Sequence, residues 1–271
     1  MTDVLQFLHN LFKSGKSDTS GLSYSSLGTA RSALSTVATI QSIPVGQHPM
    51  IKRFMRAAFN LRPSFPKNNV IWDVNFVIRH LKTLSPTTSL SLRNLSKKLL
   101  MLMLILAGQR GQSIHLLDIS NMTLTHSHVS FRIAELTKTS RPSAHVPELH
   151  FQAYTPDKRV CIITVLRIFL SRTEHLRKQE QRLFITTRPP YKAASRDTIR
   201  RWTRDILTDA GIDMNIFSPH STRSASASKA ATKLPLRTIL STAGWSQESV
   251  FQKFYNKPIV QTTSYADAIL Q

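Results

Sequence analysis

The chain has 271 residues, 41% hydrophobic and 19% charged, enough for one large core or two modest ones and too apolar for a disordered segment. Thirty-six Lys and Arg stand against fifteen Asp and Glu, a formal charge of +21 spread along the whole chain, so its folded surface attracts polyanions, nucleic acid ahead of an anionic membrane. The longest apolar run, residues 99–108, is about half of the roughly twenty residues a membrane span requires, and the single cysteine, Cys161, excludes an internal disulfide and a cysteine zinc cluster.

The lone cysteine also suggests a reducing compartment. The opening stretch, MTDVLQFLHNLFKSGKS, has neither the basic start nor the small-residue cleavage site of a secretory signal, so none is expected. Val4, Leu5, Leu8, Leu11 and Phe12 recur at helical spacing and predict a first helix that stops at Gly15. Residues 14–26, rich in Ser, Gly and Lys, read as a loop. Residues 27–40 and 50–60 predict a second and third helix. Arg62-Pro63-Ser64-Phe65-Pro66 breaks the pattern, and Trp72, Val74, Phe76, Val77, Leu81 and Leu84 mark a fourth helix ending before Pro86. Residues 1–85 therefore read as a small all-helical domain, joined by a linker at residues 85–89 to a second domain over residues 90–271.

The second domain opens with a strongly apolar helix to Ala107 and a short one over residues 113–117. Val129, Phe131 and Ile133 alternate with polar positions, which predicts a strand. Residues 138–143 are turn material. Residues 145–151 return as a second strand, placed at an edge or end by Pro147. Helices follow over residues 161–176, 196–210, 221–233, 236–243 and 247–255. The expected fold is mainly α with a small antiparallel β-sheet in the second domain. The runs 99–106 and 165–170 are assigned wholly to packing.

Metal-dependent cutting of DNA needs clustered carboxylates to hold cations over the scissile phosphate. Five glutamates and ten aspartates are instead scattered along the chain, and no HExxH spacing occurs. Gly108-Gln109-Arg110-Gly111 lacks the Lys-Ser/Thr that completes a phosphate-binding loop. No metal, no cofactor, no membrane and no small-molecule substrate is expected. Phosphodiester chemistry without metal then needs a nucleophile to hold the phosphoryl group, cations for the non-bridging oxygens, and an acid for the leaving oxygen. Arginine suits the second task, since its planar fork donates two parallel hydrogen bonds and stays charged.

His220 and Arg223 stand at i and i+3 at a helix start after Pro219. A basic residue three after a histidine also occurs at His175/Lys178, so this pair gains meaning only from its neighbours. Arg110 follows an apolar helix able to aim it. Lys138 occupies the turn between the two strands, with Lys158 as an alternative. Trp245 follows Gly244, and Tyr255 comes ten residues later; Tyr265, twenty residues on, is the rival tyrosine. Each has a plain reading alone: Arg110 as a helix cap, Lys138 as a solvated turn residue, Trp245 as a core anchor, Tyr255 as helix core beside Phe251 and Phe254.

In order and spacing the set resembles the tyrosine recombinase (phage integrase) family. Its pattern is an arginine after Thr-Gly-x or a similar turn, a hairpin lysine, H-x-x-R, a glycine followed by His or Trp, and a tyrosine about nine or ten residues on. Arg110, Lys138, His220, Arg223, Trp245 and Tyr255 occupy those positions, over residues 90–255. A looser likeness, in residues 29–35, His48-Pro49 and Trp72-Asp73-Val74, is to the recombinases of DIRS- and Ngaro-class retrotransposons, where tryptophan commonly fills the place of Trp245. Two positions depart: Ser113 stands where an acidic residue is frequent, and Ser224 where a histidine is often found.

The resemblance implies a two-domain enzyme whose N-terminal domain clamps double-stranded DNA. Tyr255 would attack the scissile phosphate to give a 3′-phosphotyrosyl link. Arg110 and Arg223 would hold the non-bridging oxygens, and His220 would assist proton transfer at Tyr255. Trp245 would donate a hydrogen bond, and Lys138 would protonate the leaving oxygen. It further implies a homotetramer on two synapsed duplexes, a tail over residues 256–271 that docks onto a neighbouring protomer, integration of a mobile element, and a nuclear location. A non-catalytic DNA-binding derivative and a type IB topoisomerase are the alternative readings.

Overall fold

The computed structural model describes residues 2–14, 21–63, 69–137, 140 and 148–260. The chain divides into two compact units, Met1–Lys67 and Asn68–Gln271.

The first unit holds α1 (Thr2–Lys13), α2 (Tyr24–Val37), a two-residue hairpin of β1 (Thr39–Ile40) and β2 (Ile43–Pro44), and α3 (Pro49–Leu61). The Ser23 hydroxyl accepts from the Ser26 N–H to start α2, and Pro49 opens α3 with its fixed φ. Leu8, Phe12, Leu27, Val45, Ile51, Met55 and Ala58 form one apolar core. Arg62 lies 4.0 Å over the Phe12 ring and donates to the Phe12 carbonyl at 2.7 Å, tying the end of α3 to α1. The sequence predicts helix to residue 40, but α2 stops at Val37. Thr39 and Ile40 pair with Pro44 and Ile43 around Gln41 and Ser42, whose φ angles of 51° and 63° make the tight turn. β-branched Thr39 and Ile40 prefer extended backbone once a partner strand is in reach.

The second unit begins with α4 (Val74–Thr83), capped by Asp73 accepting from the Asn75 N–H at 3.0 Å. Then come α5 (Leu92–Ala107), α6 (Gly111–His115), the sheet β3 (Met122–Leu124), β4 (His128–Arg132) and β5 (Glu148–Gln152), and α7 (Ile162–Arg177). The chain ends its described part with α8 (Arg196–Asp209), α9 (Ser221–Ala231), α10 (Leu236–Ala243) and α11 (Glu248–Phe254). Every residue from Leu95 to Leu104 is buried, so α5 is the axis of this unit, packed by α7, α8 and α9. Each large apolar side chain buried there stabilises by about 1.5–3 kcal/mol.

The three strands are antiparallel in the order β3-β4-β5, with Val129 opposite Phe151 and Phe131 opposite Leu149. These four are buried and face the core, while His128, Arg132, Glu148 and His150 point outward. Strand β3 was not anticipated. The return strand, expected over residues 145–151, is described from Glu148; residues 138, 139 and 141–147, which hold Pro147 and most of the expected turn at 138–143, lie outside the described residues. The architecture is otherwise as expected, mainly helical with a small antiparallel sheet.

The domain boundary differs from the sequence expectation. Ile71, Trp72, Val74, Val77 and Leu81 are buried in the same core as Leu95 and Leu99, so α4 belongs to the second unit and the division falls near residue 67, not at residues 85–89. An amphipathic helix sides with whatever covers its apolar stripe, and α4 finds that cover on α9 and α8. The Pro86 segment is an internal turn there. Lys98 of α5, fully buried, holds that turn by donating to the Leu84 carbonyl at 2.6 Å and to the Thr87 hydroxyl at 3.1 Å.

Candidate active site

Helix α5 ends at Gly108, which takes the left-handed conformation at φ 56° and lets the chain turn sharply into Gln109 and Arg110. A Cβ at Gly108 would press to 3.4 Å from the Ala243 Cβ, so the last turns of α5 and α10 approach closely there. Arg110 is the N-cap residue of α6, half-buried, and its carbonyl receives the Ser113 N–H at 2.9 Å. Arg223 lies in the first turn of α9 and is 1% exposed. Its Nη1 donates to the Gly108 carbonyl at 2.9 Å and to the Ala243 carbonyl at 2.8 Å. One guanidinium thereby satisfies the carbonyl ends of two helices, where a cation is also favoured by the helix dipoles.

The other half of the Arg223 fork is unspent: Nε and Nη2 are buried without a hydrogen-bond partner. Burial first, and then the nearby Arg110 charge, bring its pKa down to about 10, with Tyr255 pulling the other way. Arg110 and Arg223 are thus close enough to feel each other, an arrangement that costs free energy unless an anion lies between them.

Helix α10 closes with Gly244 in the left-handed conformation at φ 71°, the Trp245 N–H reaching back to the Leu240 carbonyl at 2.9 Å. This turn lays the Trp245 ring 3.9 Å from the Arg223 guanidinium carbon and 5.2 Å from the Phe251 ring. The buried indole Nε1 has no partner. Tyr255 stands at the end of α11, its ring 4.8 Å from Trp245, 6.2 Å from His220 and 5.4 Å from the Arg223 guanidinium carbon. His220, at the N-cap of α9, is exposed.

Five of the six residues singled out from the sequence are therefore gathered by α6, α9, the α10 turn and α11. The sixth, Lys138, lies outside the described residues, as does Tyr265. Lys158, the alternative to Lys138, is exposed in a turn capped by Asp157, which itself pairs with Lys82 and Arg159. Among the described residues no three His, Cys, Asp or Glu side chains group as metal ligands, and no helix is long and apolar enough to cross a membrane.

The structure adds residues that the sequence reading did not assign. The Tyr255 carbonyl accepts from Ser224 at 2.7 Å and from Ser228 at 2.9 Å, two serines one turn apart on α9. Ser224, noticed only as a departure from the usual histidine, thus holds the backbone of Tyr255. Gln109 donates from Nε2 to the Thr242 carbonyl at 3.0 Å, bridging the Arg110 turn to α10. Arg196 and Arg200, one turn apart on α8, line a cavity of about 310 Å³ together with Gln109, His220 and Arg223. The i, i+4 spacing of the two arginines was legible, but the face they occupy was not.

Of the tail over residues 256–271 expected to dock onto a neighbouring protomer, residues 256–260 are described. Residues 256–260 turn back within the same unit, with Ile259 bridged in parallel to Ile71 and the Val260 N–H donating to the Ile71 carbonyl at 2.7 Å. Backbone groups next to a buried core satisfy themselves at the nearest open edge. Residues 261–271 lie outside the described residues.

No family model matches the sequence, and no curated protein matches it. Solved structures do. A XerH site-specific recombinase bound to a palindromic difH substrate in a post-cleavage complex is similar over 91% of this chain, with a TM-score of 0.59 at 15% identity. This chain spans 65% of the length of that protein. The Tn1549 transposon integrase in complex with circular-intermediate DNA is similar over 99% of this chain and 83% of its own, with a TM-score of 0.57 at 11% identity. XerA recombinase gives a TM-score of 0.53 at 16% identity, over 99% of this chain and 90% of its own. The fold is that of the tyrosine recombinases, with an integrase-like catalytic core.

Proposed function

We propose that this protein is a site-specific DNA recombinase that breaks and rejoins strands through a 3′-phosphotyrosyl intermediate at Tyr255. One observation carries the reading. Three buried donors without partners, Nε and Nη2 of Arg223 and Nε1 of Trp245, gather beside the Tyr255 ring. Leaving such groups unpaired costs about 1–3 kcal/mol each, and the non-bridging oxygens of a phosphodiester are acceptors of matching geometry and charge. The +21 charge and the recombinase fold support a duplex DNA partner.

In this reading the Tyr255 oxygen attacks phosphorus and loses its proton with the help of His220. Charge on the pentacoordinate phosphorus is met by Arg110, Arg223 and Trp245. The bond to the 5′-oxygen breaks, and Lys138 supplies the proton to that leaving group. Attack by a 5′-hydroxyl from a partner strand reverses the step, so phosphodiester bonds are exchanged one for one and no energy-rich cofactor is consumed. Exchange between two duplexes calls for a homotetramer. The likeness to retrotransposon recombinases of the DIRS and Ngaro classes supports a role in mobile-element integration and a nuclear location.

The test is covalent capture on a randomised library of nicked duplex oligonucleotides, in which the nick lets the cleaved strand escape religation. Wild type is expected to become linked to DNA that survives denaturation, and Tyr255→Phe is not. An adduct with Tyr255→Phe refutes the nucleophile. No adduct across the library, with tight DNA binding retained, establishes the non-catalytic alternative. Relaxation of supercoils by the monomer without strand exchange establishes the topoisomerase alternative.

A further inference from the structure

Three consecutive residues at the start of the second unit touch the candidate site from behind. The Ile71 N–H donates to the Pro258 carbonyl at 2.9 Å and its carbonyl accepts from the Val260 N–H, so Ile71 grips the strand that follows Tyr255. Trp72, 3% exposed, donates from Nε1 to the Ser221 hydroxyl at 2.8 Å. That hydroxyl donates in turn to the Ser218 carbonyl at 2.6 Å. Ser218 and Ser221 bracket His220, so the relay closes the loop that carries the histidine. Asp73 caps α4 and lies 4.0 Å from Lys229 on α9. Its neighbour Ser228 accepts from the Lys257 N–H at 3.0 Å while donating to the Tyr255 carbonyl.

From this juxtaposition we infer that Ile71-Trp72-Asp73 is a positioning strap for the site, in which Trp72 acts through Ser221 to hold His220 and Ile71 holds the backbone beyond Tyr255. The inference rests on the recombinase reading above. A hydroxyl has one proton. With that proton committed to Ser218, Ser221 can only accept from Trp72, so the direction of the relay is fixed. A buried indole usually finds a partner for its N–H. Here the partner is the first residue of the helix that bears Arg223, a place where a few tenths of an ångström matter to the reacting geometry. Residues 71–73 carry no chemistry of their own; they are positioning residues.

The test compares Trp72→Phe, Ser221→Ala, the double variant and Ser221→Thr in the full chain. Single-turnover adduct formation on the captured nicked duplex is measured with protein in excess, beside equilibrium DNA affinity and thermal melting. Trp72→Phe keeps an apolar ring in the core and removes the donor together with part of the indole volume, a packing loss that the melting temperature reads. Each single variant is expected to slow adduct formation about tenfold, with affinity unchanged within about twofold, in proportion to one well-placed hydrogen bond. The double variant is expected to be no slower than Ser221→Ala, because both changes break one relay. Ser221→Thr, which keeps the hydroxyl, is expected to restore the rate. Wild-type rates in Trp72→Phe overturn the inference, and so do additive losses or a loss of rate that tracks a loss of melting temperature. If wild type itself forms no adduct, the recombinase reading fails and the strap falls with it; a strap that fails alone leaves wild-type adduct intact.

Discussion

Removing the two serines behind Tyr255 separates the placement of the nucleophile from its chemistry. In Ser224→Ala/Ser228→Ala the Tyr255 carbonyl loses both of its donors, at 2.7 and 2.9 Å. In either single variant the remaining serine still satisfies that carbonyl, so each is expected to cost only one net hydrogen bond, about 0.5–1.5 kcal/mol. Ser228→Ala is expected to be the worse of the two, since Ser228 also accepts from the Lys257 N–H at 3.0 Å. The double variant leaves a partly buried carbonyl unpaired and adds the cost of desolvating it, for a combined loss of about 2–3 kcal/mol. If that loss is felt by the docked form of Tyr255, adduct formation falls roughly 30- to 150-fold, tenfold for each 1.4 kcal/mol. The assay is single-turnover adduct formation on the captured nicked duplex, with DNA affinity measured alongside. Affinity is expected to hold, because Ser224 and Ser228 are buried beneath the site and the cationic fork of Arg223 is untouched. A double variant that cleaves at the wild-type rate refutes the idea that these serines place Tyr255. A pair of single variants each as slow as the double refutes the claim that one serine can hold the carbonyl alone.

Three further predictions follow from the same geometry. Burial lowers the Lys98 pKa to about 8 from 10.5, so between those two values the unfolded chain binds a proton that the folded chain does not. Stability is therefore expected to rise with pH over that window and to stay flat below it, and Lys98→Met should abolish the rise; equal slopes for both proteins in urea titrations at pH 8, 9 and 10 would contradict this. Gly244→Ala puts a side chain at φ 71° and a Cβ 3.2 Å from the Gln109 amide nitrogen. It is expected to cost about 1–2 kcal/mol and lower Tm by a few degrees, with Gly244→Asn milder; a melting temperature equal to wild type would show that the turn tolerates a side chain. Arg196→Ala and Arg200→Ala are each expected to reduce the slope of log affinity against log salt by about one if the guanidinium meets a DNA phosphate, and an unchanged slope in both excludes α8 from the interface.

Much of the helical second half is written in its periodicity. Apolar spacing marks α5, α7 and α8 to within a few residues, because a stripe buried on one face must repeat with the helical period. The sheet was half legible: β4 alternates clearly, whereas three-residue β3 is too short to carry a pattern and exists because β4 offers it an edge. The boundary near residue 67 was not legible. Pro86 looks like a linker in one dimension, and only the shared core of Val77, Leu81, Leu95 and Leu99 shows that α4 packs on the far side of that turn.

The sequence alone nominated the residues that the proposed chemistry would use. Arg110, His220, Arg223, Trp245 and Tyr255 are picked out because their order and spacing resemble the recombinase pattern. Their companions were decided by tertiary structure. The serines under Tyr255, the Gln109 bridge, the proposed strap at residues 71–73 and the arginines of α8 are ordinary residues that no motif marks. Apart from the two arginines, which line a shared cavity, their contacts are hydrogen bonds between residues 27 or more positions apart. A hydrogen bond has a range of about 3 Å and no memory of sequence distance, so only the packed fold could bring such partners together.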